Sequence, residues 1–225
     1  MLTILGISES AKVAVGIFLV HLISLTLLVG SAIWYLATHG LDNLSLNFQL
    51  PVKGGSVANA LFFGFSAAML GISGFESSAN FVEEQDRGVF PKTLRNMWIV
   101  VSFFNPVIAF LAIAALPMVE VGQHTETLLS HLGTTTGGRW LGMLISVDAV
   151  AVLSGAVLTS FVGVSGLMKR MTLDRILPQF FLKENKAKSN YLILITFFLL
   201  CASVLFITNG QLGPLSGCIP FRFWR

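Results

Sequence analysis

The sequence predicts an all-α, multi-pass helical membrane protein, and three observations carry that reading. Hydrophobic residues make up 54% of the 225, and the mean hydropathy is +0.80. Charged residues make up only 11%, against about 25% in ordinary soluble domains. The apolar residues fall in long continuous runs without the alternation of strands. The many short alternating segments of a membrane β-barrel are missing. This composition excludes a disordered chain and a typical soluble enzyme. The net charge of +3 comes mostly from two short loops and offers no nucleic-acid surface. Cys201 and Cys218 cannot build a disulfide framework, and no CxxC or His/Cys spacing suggests a metal site. Neither a metal nor a cofactor is expected.

The chain reads as one transmembrane domain over 1–225 with five spans. The first, 13–36, is VAVGIFLVHLISLTLLVGSAIWYL. As a helix it would extend about 36 Å, enough for a hydrocarbon core about 30 Å thick. It is too long for a signal-peptide core. The second, 57–82, is interrupted by Gly71, Ser73, Gly74 and Glu76. The third, 97–119, carries Asn105-Pro106 near its middle, where a kink is expected. The fourth, 140–168, carries Asp148, and the fifth is 190–208.

Basic residues set the expected orientation. Lys12, the loop with Arg87, Lys92 and Arg95, and the loop from Lys169 to Lys188 share one side. The positive-inside rule puts that side, and the N-terminus, in the cytoplasm. The two loops, FVEEQDRGVFPKTLRN and KRMTLDRILPQFFLKENKAKSN, are amphipathic and are expected along the bilayer surface, basic residues toward lipid headgroups. Asn43-Leu44-Ser45 is then an N-glycosylation triplet in an outside loop.

Three ionisable residues fall at membrane depth: His21, Glu76 and Asp148. Each is costly there and should face a bundle interior or a water-filled cavity. One reading is structural hydrogen bonding between helices; their occurrence on three separate spans favours a polar pathway. Glu76 follows Gly71-Ile72-Ser73-Gly74-Phe75, a run that weakens a helix. A broken helix in lipid offers free backbone groups to a substrate; close packing through small residues is the alternative. On the fourth span Asp148, Gly155, Thr159 and Gly166 lie roughly on one face. Gly155, Thr159 and Gly163 form a small-residue row suited to packing.

SGFESSANFVEEQ followed by VFPKTLRN resembles the sixth span and following loop of amino acid permeases. These are the amino acid–polyamine–organocation transporters, built on the LeuT-type inverted-repeat fold. LGISESAK resembles the lead-in to their fifth span, and LMKRMTLDRILPQFF the loop after their eighth. The resemblance covers nearly the whole chain and places its five spans on the family's fifth to ninth, a partial LeuT-type fold. It implies amino acid transport, with proton coupling as in many members. It implies that the backbone of Gly71, Ile72, Ser73, Gly74 and Phe75 meets the substrate, and that Glu76 serves gating or proton coupling. Counted from Gly6, the Lys of proton-coupled members falls on His21, which titrates near neutral pH. The hydroxyl of the family's eighth span is one of Ser154, Thr159 and Ser160. Asp148 has no role in this correspondence beyond a possible polar pathway.

Two departures stand out. Leu70 lies where some members place an aromatic gate, and Asp86-Arg87-Gly88 replaces a common Asn-Pro pair. Residues 209–225 read as the truncated start of a further span or an aberrant tail, with CIPFRFWR leaving the pattern of GQLGPLSG. The partners expected are an amino acid, protons and the bilayer. The four family spans without a counterpart would come from a separate N-terminal piece or a partner permease. The alternative is a non-transporting membrane protein that packs against a full-length permease or has no activity. No nucleophile–base pair or phosphate-cradling loop suggests an enzyme.

Overall fold

A computed structural model describes residues 7–51, 56–70, 85–183 and 190–208, with the side chains of 7–12, 67, 69 and 70 set aside. Every element among the described residues is helical. In chain order they are α1 (Ile7–His39), α2 (Asp42–Phe48), α3 (Val57–Leu70), α4 (Val89–Ala115), α5 (Met118–Gln123), α6 (Leu128–Gly137), α7 (Arg139–Leu173), a 3-10 turn (Gln179–Leu182) and α8 (Tyr191–Ile207). Three are long and apolar enough to cross a membrane: Val13–His39 of α1, α4 and α7. They match the expected first, third and fourth spans. The expected second span is described only to Leu70, and α8 is a shorter apolar helix of 17 residues.

The helix ends correct the expected boundaries. The third span was expected at 97–119, yet α4 starts at Val89 and stops at Ala115. It starts early because Gly88 adopts φ 85, and because Pro91 sits in the first turn, where its missing N–H costs nothing. It stops because Pro117 pushes Leu116 out of helical geometry, to φ −113 and ψ 142. The helix is continuous through Pro106. Residues 89–96, expected on the bilayer surface, are therefore the first turns of α4. The second basic loop likewise begins inside α7. It then turns through Arg175 at φ 61 before the 3-10 turn.

The chain divides into two compact units, each considered by itself. One comprises Ile7–Phe62 and Gln85–Val157. Its core is a seam of Leu25, Leu28, Ile108, Ala112, Ala115, Leu116, Leu132, Leu141 and Ile145. On α1 the buried positions 25, 28 and 32, and on α4 positions 108, 111, 112 and 115, follow helical spacing. Around this seam Phe18, Leu19, Val20, Ile23, Val147 and Val150 stand exposed. Lipid chains are as apolar as leucine, so helix association in a bilayer relies on close packing and hydrogen bonds. Small residues supply the closeness. A Cβ on Gly142 would strike the Thr134 hydroxyl and lie 3.0 Å from the Ser130 carbonyl oxygen. Gly138, at φ 86, makes the tight turn that folds α6 back on α7.

Side-chain amides secure the end of α4. Pro117 lacks the N–H that would serve the Ile113 carbonyl four residues earlier. Asn47 Nδ2 supplies it instead at 2.8 Å and also donates to the Leu116 carbonyl at 2.8 Å. Asn47 Oδ1 accepts from the Met118 N–H at 2.9 Å, and Asn43 Nδ2 donates to the Ala115 carbonyl at 2.9 Å. The short helix α2 is thus a cap for α4. The nitrogen that a glycan would need on Asn43 is engaged in that cap.

The other unit comprises Met1–Gly6, Phe63–Glu84 and Leu158–Arg225. Among its described residues Phe161 and Phe197 meet edge to face, with ring centroids 4.9 Å apart. Gln179 Nε2 donates to the Thr172 carbonyl at 2.9 Å, holding the 3-10 turn against the end of α7.

Candidate functional site

The apolar seam of the first unit ends in a polar cluster. On α7, Leu141, Ile145 and Asp148 occupy one buried face at spacings of four and three residues. On α1, His21 and Ser24 continue the face that carries Leu25 and Leu28. Asp148 therefore projects where the sequence pattern would place another leucine. It finds partners there: His21 Nδ1 lies 2.8 Å from Asp148 Oδ2, and Ser24 Oγ donates to the same oxygen at 2.6 Å. The other carboxylate oxygen, Oδ1, is buried without a hydrogen-bond partner among the described residues.

The burial is uneven, and this decides how the pair can exchange with its surroundings. Asp148 is 4% exposed and Ser24 1%, while the His21 side chain is 31% exposed. The imidazole, not the carboxyl, is the accessible side of the pair. Taking an isolated carboxylate out of water costs several kcal/mol even after relaxation. One proton shared by the pair leaves it net neutral, as an imidazolium–carboxylate pair or as a neutral imidazole with a carboxylic acid. Removing that proton strands a buried negative charge beside a neutral ring.

The structure brings into contact His21 and Asp148, two of the three ionisable residues expected at membrane depth, 127 positions distant in the chain. It adds Ser24, which the sequence reading missed; the available signal was its place three residues after His21, on the same helical face. Ser154 does not join them. Its hydroxyl donates to the Val150 carbonyl at 2.7 Å within α7 and is exposed. Thr159 and Ser160 are exposed on the part of α7 that belongs to the other unit. Gly71, Ile72, Ser73, Gly74, Phe75 and Glu76 lie outside the described residues.

Hydroxyl contacts hold the helices that position the cluster. Ser31 meets Thr136 at 3.1 Å, joining α1 to α6, and Ser130 meets Ser146 at 2.7 Å, joining α6 to α7. Nearby, His131 Nε2 lies 3.0 Å from Glu120 Oε2 and its ring stacks on His124 with centroids 4.1 Å apart, tying α6 to the end of α5.

Long apolar helices around a buried ionisable pair define an integral membrane protein with a polar element in its interior. The sequence model described as "Amino acid permease" matches residues 1–215. The chain belongs to the amino acid permease family, a family of transporters rather than enzymes, and membership points to amino acid transport. Neither the curated proteins nor the solved structures give a match.

Proposed function

We propose that this chain takes part in proton-coupled amino acid transport and that His21 and Asp148 form its proton-carrying pair. The observation that carries the reading is the 2.8 Å contact between an accessible imidazole and a buried carboxylate on two long apolar helices. The family's broken helix supplies the substrate half-site in this proposal: the backbone of residues 71–75 receives the amino or carboxylate group, and Glu76 gates or assists the proton step. The proposed architecture is the family's LeuT-type fold, to which this chain contributes five spans, with the N-terminus cytoplasmic.

The test is uptake of a panel of labelled amino acids into vesicles under an imposed pH gradient. It uses the chain alone and the chain joined to the four preceding spans of a family member. Uptake by the joined protein, driven by the gradient and lost in Asp148→Asn, is expected. No uptake of any amino acid by the joined protein overturns the transport reading. Uptake indifferent to both the gradient and Asp148→Asn overturns the coupling.

A further inference from the structure

We infer that Ser24 is the positioning residue that sets how tightly the His21–Asp148 pair holds its proton, an inference that rests on the coupling proposed above. The Ser24 hydroxyl has a single proton and two acceptors in reach: Asp148 Oδ2 at 2.6 Å and the His21 carbonyl oxygen at 2.9 Å. The first distance is that of a charge-assisted bond to an ionised carboxylate, and the second that of an ordinary neutral one. With Asp148 ionised the hydroxyl points at Oδ2. When Asp148 takes a proton, that oxygen becomes a weaker acceptor and the hydroxyl has the backbone carbonyl ready beside it. The switch leaves no buried donor unmade in either state.

The same cluster indicates where the proton goes on the carboxyl. Oδ2 already receives Ser24 and faces His21, whereas Oδ1 is buried with no partner among the described residues. The proton that the pair shares therefore lies between His21 Nδ1 and Oδ2, and the bare Oδ1 makes the ionised carboxyl the costlier form. Among the described residues His21 is the titratable side chain that contacts Asp148; Ile145 and Leu141 on α7 and Leu25 and Leu28 on α1 continue the apolar seam beside it. Removing Ser24 takes a donor from the charged state alone, so the pair should bind its proton more tightly.

Nitrogen NMR of the full chain in lipid nanodiscs, with labelled histidine, follows the His21 signal, assigned by its loss in His21→Gln. In Ser24→Ala the pH at which the signal is half-changed should rise by about one pH unit, a tenfold change in proton binding. Ser24→Thr, which keeps the hydroxyl, should restore it. An unchanged midpoint in Ser24→Ala overturns the role of Ser24 and leaves the coupling reading standing. A His21 midpoint that does not respond to Asp148→Asn overturns the pair itself, and both proposals with it.

Discussion

Asp148 illustrates how a single residue changes meaning between sequence and structure. On the sequence it is an acidic group at membrane depth, part of an expected polar pathway but with no role in the family correspondence. In the structure it is the buried end of an apolar seam, held by His21 and Ser24. Substituting one member leaves the other without its partner, so the two effects should not add. Asp148→Asn and His21→Gln are each expected to reduce gradient-driven uptake by an order of magnitude or more, about the loss of one buried charge-assisted contact. The double substitution should be little worse than either alone, as for any coupled pair. Additive losses in the double-mutant cycle would show that the two residues act separately.

At the scale of the element, caps and close approaches carry the predictions. Asn47 makes three hydrogen bonds to the end of α4 and the start of α5. Asn47→Ala should lower stability by about 1–3 kcal/mol, read as an earlier thermal transition in detergent; an unchanged transition would mean water replaces the amide. Asn43 donates the amide nitrogen that would carry a glycan to the Ala115 carbonyl, so its triplet is expected to stay unmodified. Expression in a glycosylating host, followed by glycosidase treatment, should leave the electrophoretic mobility unchanged, and a shift would show the α2 cap to be dispensable. Gly142 admits α6 against the start of α7. Gly142→Ala should cost about 1–3 kcal/mol as an overpacked contact, because the Ser130 backbone cannot move aside as the Thr134 side chain can. Since Asp148 lies six residues further along α7, the same substitution should also weaken the response of uptake to Asp148→Asn.

For the whole molecule, three of the five expected spans were legible as apolar runs that the structure shows as long helices, because a bilayer core demands long uninterrupted helices. Their boundaries were not. The third span was misplaced at both ends, since hydropathy averages over the prolines that start and stop α4. The connection between α4 and α7 carries no expected span, yet it contains α6, whose Leu132 is buried in the core and whose hydroxyls meet α1 and α7. Topology is the prediction at this scale. Residues near Lys12, Lys92 and Lys183 should react with impermeant reagents from the cytoplasmic face alone, and Lys53 from the opposite face. Labelling of Lys12 and Lys92 from different faces would overturn the proposed orientation.

Sequence by itself determined that this is a helical membrane chain and an amino acid permease family member. Composition, the length of the apolar runs and ordered local motifs are properties of neighbouring residues. It also singled out His21 and Asp148 as costly where they stand. Only the tertiary structure decided that each answers the other and that Ser24 completes the group. The contact joins positions 127 apart, and no local pattern encodes which helix faces meet. That choice is made by the fit of small residues and hydroxyls between helices, which in lipid outweighs the hydrophobicity a sequence displays.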